Sequence, residues 1–193
     1  MRIRAATADD VTAMAKVRID TWRSAYAGIV PSDHLESLSY DRTAEGWRSG
    51  IFASGSPDLA AFVAEEADGQ IAGIAICGPA EGLEGKGTGQ VHVLYVLPGF
   101  QRRGVGRSLM QRCGRHLVSR GYGSLVVWVL KDNPYREFYE GLSGVQAGEK
   151  LVEIGDASLV EVAYEWSEIH KAPWMSEDTP RQDPDQAGRP DAA

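Results

Sequence analysis

The sequence is poor in the residues and segments that mark several common classes of protein. Only two cysteines, Cys77 and Cys113, occur among 193 residues, which argues against a disulfide-stapled secreted domain and predicts two reduced core thiols. No apolar run approaches the length of a membrane span, and the N-terminus lacks the charged leader and apolar segment of a secretion signal. These absences predict a cytoplasmic protein without a membrane partner.

Motifs for several kinds of chemistry are also missing. No His, Cys, Asp or Glu cluster has the spacing of a metal site, and there is no Gly-x-Ser-x-Gly nucleophile motif. The turn around Gly104 and Gly106 lacks the lysine of a Walker loop, and Leu109 stands where a dinucleotide-binding fingerprint needs its third glycine. We therefore expect no metal and neither of these nucleotide-binding loops.

Acidic residues are absent from the stretch Gln90 to Arg120, although the chain has 27 acidic and 20 basic residues and a net charge of −7. Six arginines lie in this stretch: Arg102, Arg103, Arg107, Arg112, Arg115 and Arg120. A basic island in an acidic chain favours a compact polyphosphate ligand over a nucleic acid, because a duplex binder needs a broad positive surface. For the last three arginines, solvation of an exposed helix face is the alternative.

The same stretch predicts a strand, a tight turn and a helix. Apolar, β-branched and aromatic residues predominate from 91 to 97 and stop at Pro98-Gly99. Four residues at a spacing of four then share one helical face: Val105, Leu109, Cys113 and Leu117. The N-terminus of a helix has unpaired amide groups and a positive dipole end, and Gly104 and Gly106 let a ligand approach the backbone. We therefore predict an anion site at this turn.

Three segments resemble those of a known family. Gln101-x-x-Gly104-x-Gly106, after Leu94-Tyr95-Val96-x-Pro98, resembles the acyl-coenzyme A binding motif of the GCN5-related N-acetyltransferase (GNAT) superfamily. Asn133 to Tyr139 resembles a second element of that superfamily, with Ser143 replacing the usual glycine in the closing group Leu142-Ser143-Gly144. The segment Thr21 to Pro31 resembles a pattern of one bacterial branch. The resemblance covers about residues 1 to 166.

The fold that this resemblance implies is of the α/β (α+β) class. It has a mixed, mostly antiparallel central sheet flanked by helices, with one pair of parallel strands splayed apart. The residue pattern itself predicts strand, helix, strand, helix, strand, strand after Gln90. We expect one domain over residues 1–170, with early helices that wall a substrate pocket. Residues 171–193, which are rich in proline and polar residues, are predicted to form a disordered tail.

The resemblance implies transfer of an acetyl group from acetyl-coenzyme A to a primary amine of a small molecule or peptide, by a monomer or homodimer. The residues that would hold the cofactor are Leu94, Tyr95, Val96, Gln101, Arg102, Arg103, Gly104, Val105, Gly106, Arg107, Ser108, Asn133, Arg136 and Tyr139. One alternative is an acyl-coenzyme A binding regulatory module without turnover. Nucleic-acid binding by the arginine helix is another, against which the acidic balance argues.

Acetyl transfer also needs groups that move protons. Tyr139 matches the general acid of the family, since a phenol with a pKa of about 10 can protonate a leaving thiolate. The alternative is a packed aromatic residue whose hydroxyl only orients the sulfur. A backbone amide at or near Val96 matches the donor that stabilises negative charge on the carbonyl oxygen.

The base is the point at which this sequence departs from the family pattern. Many relatives have a glutamate where this chain has Gln90, which cannot accept a proton. His92 shares the strand face of Gln90 and has a suitable unperturbed pKa, although a lone strand histidine is more often structural. Glu81 and Glu84 are rivals that would act through a water molecule, and a mechanism without a dedicated base is also open.

Candidate acceptor-binding residues lie mainly in the first helices. The resemblance makes Tyr26 the leading residue to touch the acceptor, followed by Trp22 and Gln90. Aromatic residues at helical spacing, such as Trp22 and Trp47, are more often core. The acidic composition outside the arginine island suggests a cationic acceptor, such as a polyamine, an aminoglycoside-like amine, a peptide N-terminus or a lysine.

Overall fold

A seven-stranded sheet with helices on both faces forms the centre of the protein in the computed structural model, which describes residues 1–82 and 87–176. The strands are β1 (Arg2–Ala5), β2 (Ala60–Glu65), β3 (Ile71–Pro79), β4 (Thr88–Val96), β5 (Ser124–Leu130), β6 (Val145–Ile154) and β7 (Ala157–Trp166). The helices are α1 (Val11–Ala25), α2 (Ser32–Ser37), α3 (Tyr40–Trp47), α4 (Val105–Ser119) and α5 (Glu137–Gly141). None of these helices is both long and apolar enough to cross a membrane.

The strand order is β1-β2-β3-β4-β5-β7-β6, and every neighbouring pair except β4 and β5 is antiparallel. This topology confirms the predicted mixed, mostly antiparallel sheet. It also confirms that the strand before the arginine island and the strand after it are parallel, because α4 forms the crossover between them.

The two parallel strands pair over a short distance only. The register matches Thr88, Gly89 and Gln90 of β4 with Ser124, Leu125 and Val126 of β5, whereas β4 continues to Val96 and β5 to Leu130. A β-bulge on the other edge of β4 leaves His92 without its own partner opposite Ile76 and Cys77. Bulges bend a strand and increase its twist, so the strands separate next to His92, as the splayed pair requires.

The helix α4 covers one face of the sheet. All four residues predicted to share its apolar face, Val105, Leu109, Cys113 and Leu117, are buried. Leu117 packs so closely on Gly89 that a Cβ atom there would lie 2.7 Å from the leucine side chain. Cys77 and Cys113 are both buried and not disulfide-bonded. The sequence between Gln90 and Arg120 therefore folds as its periodicity predicts.

The same core extends beyond β7. Ile169, Ala172 and Trp174 are buried with the residues of α4, and the Trp174 ring meets the Trp166 ring edge-on at 5.8 Å. Gly114 makes room for this indole, since a Cβ atom there would lie 2.7 Å from it. Of the tail predicted from residue 171, the part up to Ser176 is described and includes the buried Ala172 and Trp174. The remainder of that prediction, residues 177–193, lies outside the described residues.

The first three helices cover part of the opposite face. Met14 and Val17 of α1 pack on Ile74 and Ile76 of β3, and a π-helical segment, Arg48–Phe52, continues α3 over the same cluster. Further along the sheet, Tyr26 at the end of α1 packs against Leu130 of β5. The early helices thus lie over the part of the sheet where the two parallel strands, β4 and β5, separate.

Candidate active site

The turn between β4 and α4 is open and positively charged. Arg102 and Gly104 both have left-handed backbone conformations, with φ of 62° and 82°, and Gly104 is the residue that precedes the first turn of α4. The side chains of Arg102 and Arg103 are exposed. The residue before α4 is a glycine and offers no side chain to cap the start of this 15-residue helix, and helix N-termini of this kind attract anions.

The glycine at position 106 joins this turn to α5. A Cβ atom there would lie 3.2 Å from the Phe138 ring, so the absence of a side chain lets α5 pack on the first turn of α4. Phe138 in turn meets Tyr139 edge-on, with ring centres 5.2 Å apart. The turn before α4 and Tyr139 are therefore linked through the Phe138 ring.

Beyond Gln90, the edge of β4 that faces β5 pairs with no strand of the described residues. The Leu97 amide donates to the Ala72 carbonyl at 2.9 Å, and successive residues of a strand point their amides to opposite edges. The amides of Leu94 and Val96 consequently point away from β3, toward the side that β5 has left after Gln90. Gln101 donates from Nε2 to the Val96 carbonyl at 3.0 Å. An extended ligand with amide groups can pair with this edge as an added strand would.

Tyr139 lies beside the gap that opens between β4 and β5 after Gln90. Its ring stacks on Tyr164 with centres 5.7 Å apart and is 8% exposed. Burial, with a smaller effect of nearby Tyr95, raises the pKa of the Tyr139 hydroxyl above its usual range. This hydroxyl has no hydrogen-bond partner among the described residues. It is also not fully buried, since the fully buried side-chain atoms without a partner there are those of Thr21 and Trp174. It is therefore a protonated donor at neutral pH and is open to a ligand.

Two hydrogen bonds attach α1 to the ends of the parallel strands. Asn133 donates from Nδ2 to the Tyr26 hydroxyl at 2.9 Å, and Trp22 donates from Nε1 to the Tyr95 hydroxyl at 2.7 Å. Burial raises the pKa of both Tyr26 and Tyr95, so both phenols stay protonated. The predicted acceptor residues of α1 and the predicted cofactor residues Tyr95 and Asn133 are thus brought together.

Asn133 lies before the helix that follows it in the chain. The helix α5 begins only at Glu137. Asn133 Oδ1 accepts from the Tyr135 amide at 2.8 Å, which stabilises a turn before the helix. The side chain is occupied on both ends because its amide group binds Tyr26, a contact that sequence spacing does not reveal.

The predicted base residues meet at the start of the gap. His92 Nδ1 lies 3.9 Å from Glu81 Oε1, and Gln90 Oε1 accepts from the Glu81 amide at 3.3 Å. Burial lowers the pKa of His92, although the Glu81 charge and the Pro79 carbonyl act in the opposite direction. His92 is therefore a neutral imidazole at pH 7. Glu84, the other candidate, lies outside the described residues.

Sequence reasoning missed a cavity beside β4. It measures about 380 Å³, and its wall includes Arg18 of α1, Arg42 of α3 and Val93 of β4. The sequence offered one indication of this cavity, the spacing of four residues between Arg18 and Trp22 on α1. In the structure the Arg18 guanidinium carbon lies 5.1 Å from the centre of the Trp22 indole. A larger cavity of about 540 Å³ is lined by the α1–α2 connection and Ala157, and none of the predicted site residues lines it.

Comparison with known proteins decides the family. A model described as the acetyltransferase (GNAT) family matches residues 18–143. The chain belongs to the GNAT family. This GNAT chain is 32% identical over 167 residues to a protein named as uncharacterized N-acetyltransferase YuaI of Bacillus subtilis (strain 168), with 86% of this chain and 93% of that protein covered. It is accordingly an acyltransferase.

Solved structures share the GNAT fold. A ribosomal-protein-alanine N-acetyltransferase from Brucella melitensis matches with a TM-score of 0.69 and 20% identity, covering 86% of this chain and 99% of that one. The protein yncA from Salmonella typhimurium, solved with its cofactor acetyl-CoA, matches with a TM-score of 0.66 and 19% identity, covering 100% of this chain and 99% of that one. These likenesses agree with the sheet and helix order described above.

The titration of His92 is the first testable consequence. We expect NMR to give His92 a pKa below the ordinary 6.5, and we expect Glu81→Gln to lower it further. The physical reason is that the glutamate charge favours the protonated ring. Glu66→Gln, at the β2–β3 turn, serves as the control and should leave the His92 pKa unchanged. A pKa at or above 6.5, or one that rises in the Glu81 variant, would contradict this picture of the site.

Proposed function

We propose that this GNAT enzyme transfers an acetyl group from acetyl-CoA to a primary amine of a small molecule or peptide. The observation that carries the proposal is the path of the chain itself, which runs from the open edge of β4 directly into the turn before α4. This path joins a row of backbone donors to an anion site, which suits an amide-containing arm attached to a pyrophosphate. Tyr139 beside the gap supplies an acid at the other end of that path.

The residues present fit the cofactor. The arm would pair with the amides of Leu94 and Val96, and the pyrophosphate would lie against the turn formed by 101–106. Arg102 and Arg103 add positive charge there, and the left-handed Gly104 keeps its backbone accessible. When bound, acetyl-CoA would supply the acetyl group as an activated thioester.

The chain would assist transfer at three points. A backbone amide of β4 at or near Val96, one that the arm does not occupy, would donate a hydrogen bond to the acetyl carbonyl oxygen as it gains negative charge. The Tyr139 hydroxyl, kept protonated by burial, would give its proton to the departing sulfur. Stacking on Tyr164 holds the phenol ring in place for that donation.

Removal of a proton from the amine would fall to His92. An alkylammonium group has a pKa of about 10.4, so the reactive free amine is scarce at neutral pH. A neutral His92 accepts a proton, directly or through a water molecule, and the nearby Glu81 carboxylate stabilises the imidazolium that results. Gln90, which binds the Glu81 amide, holds that loop beside the histidine without titrating. Tyr26 and Trp22 would border the incoming acceptor.

Substitution of Gly104 tests the cofactor site. Gly104→Glu should abolish acetyl-CoA binding measured by calorimetry, because it forces a side chain into a left-handed position and adds negative charge to the anion turn. Gly121 is a matched control at the opposite end of α4, since its φ of 90° and its open surroundings resemble those of Gly104. Gly121→Glu should leave the affinity within about twofold of the original. Unchanged acetyl-CoA binding in the Gly104 variant would contradict the assignment of this turn to the pyrophosphate.

Substitution of Tyr139 tests the proton donor. In an assay of free thiol release with an amine acceptor, Tyr139→Phe should lower turnover by about 100-fold or more, the scale of a lost general acid. Its affinity for acetyl-CoA should change little, because the phenyl ring keeps the stacking on Tyr164. Equal losses of turnover and affinity would instead assign Tyr139 to binding. Absence of thiol release from the unaltered enzyme across a broad amine panel would contradict the proposed function itself.

A further inference from the structure

The cavity between α1, α3 and β4 has an unusual charge for this chain. Of the residues that line it, Arg18, Arg42, Thr43, Gly46, Trp47 and Val93, the charged ones are both arginines. The chain as a whole has 27 acidic residues against 20 basic ones. The cavity therefore has a positive local electrostatic potential, which the acidic composition of the whole chain does not reveal.

Neither arginine is neutralised within the described residues. Arg18 donates to the Thr43 hydroxyl at 3.5 Å, and Arg42 donates to the Ser37 carbonyl at 2.8 Å, but no described carboxylate pairs with either. Other arginines of the chain do form ion pairs, such as Arg4 with Asp10 and Arg120 with Asp58. A guanidinium on the wall of a cavity without an anion retains most of its capacity to bind one.

The cavity adjoins the reacting centre. Val93, on its wall, lies between the bulge residue His92 and Leu94, where the open edge of β4 begins. Arg18 also lies close to the Tyr95 hydroxyl, which Trp22 holds at 2.7 Å. The turn assigned to the pyrophosphate, residues 101–106, leads into α4, which packs on the opposite face of the sheet from Val93 and Tyr95. An anion in the cavity would therefore belong to the acceptor.

We propose that this cavity binds the carboxylate of the acceptor, so that the acceptor is an amino acid or a similar small amine with a carboxylate a few bonds from its amino group. The inference rests on the proposed function and narrows its substrate class. Arg18 would pair with both carboxylate oxygens through its planar fork, a geometry that a lysine does not reproduce. Its contact with Trp22 holds that fork toward the cavity.

The test compares acceptors that differ only in this charge. Thiol release is measured with a panel of amino acids and with the corresponding amino acid amides, using acetyl-CoA at saturation. The unaltered enzyme should favour the acids by at least tenfold in kcat/KM. Arg18→Gln should reduce that preference to within about twofold, chiefly through KM, and Arg18→Lys should retain part of it. Lys16→Gln removes the same charge from an exposed position of the same helix and should behave like the unaltered enzyme.

A binding measurement separates this inference from the proposed function. Titration with N-acetyl amino acids and their amides is followed by tryptophan fluorescence, since Trp47 lines the cavity and Trp22 contacts Arg18. Acid-selective binding that disappears in Arg18→Gln supports the inference, even where no acceptor gives thiol release and the proposed function fails. Three results would overturn the inference: equal binding of acids and amides, no binding of either, or a preference for acids that survives in Arg18→Gln. None of them contradicts acetyl transfer wherever thiol is released.

Discussion

The unpaired edge of β4 is the feature on which the rest of the site depends. A strand in the middle of a sheet normally has both edges paired, and an open row of amides is a binding surface for any extended chain. Here β5 leaves β4 after Gln90, and the bulge at His92 bends the strand at that point. The packing of α4 on one face and α1 on the other stabilises the separation, because each helix is anchored to the sheet on its own core cluster.

Local sequence was sufficient for the part of the site that lies next to this edge. The strand, the glycine turn and α4 are neighbours in sequence, and the periodicity of Val105, Leu109, Cys113 and Leu117 determines which helix face is buried. At Ser143, where the family resemblance implies a glycine, the backbone is left-handed with a φ of 62°, a conformation that glycine adopts readily. The backbone at such turns is determined by a few adjacent residues, so it can be anticipated from them.

Contacts between distant segments could not be predicted in the same way. The bond from Asn133 to Tyr26 joins residues 107 positions apart, and the bond from Trp22 to Tyr95 joins residues 73 apart. The local charge of the cavity between α1, α3 and β4 could not be predicted for a related reason. Net charge averages over the whole surface, whereas an anion in a cavity responds to charges within about 10 Å. An acidic composition suggested a cationic acceptor, yet Arg18 and Arg42 face this cavity without a described carboxylate partner.

Amide hydrogen exchange can detect pairing of the cofactor with β4, because it reads individual strand amides. On addition of acetyl-CoA, we expect strong protection of the Leu94 and Val96 amides. The amide of Tyr95, which points to β3 and is already paired, should show little change. This alternation is expected only if the cofactor pairs with the open edge of β4. Uniform protection along the strand, or no change at Leu94 and Val96, would contradict it.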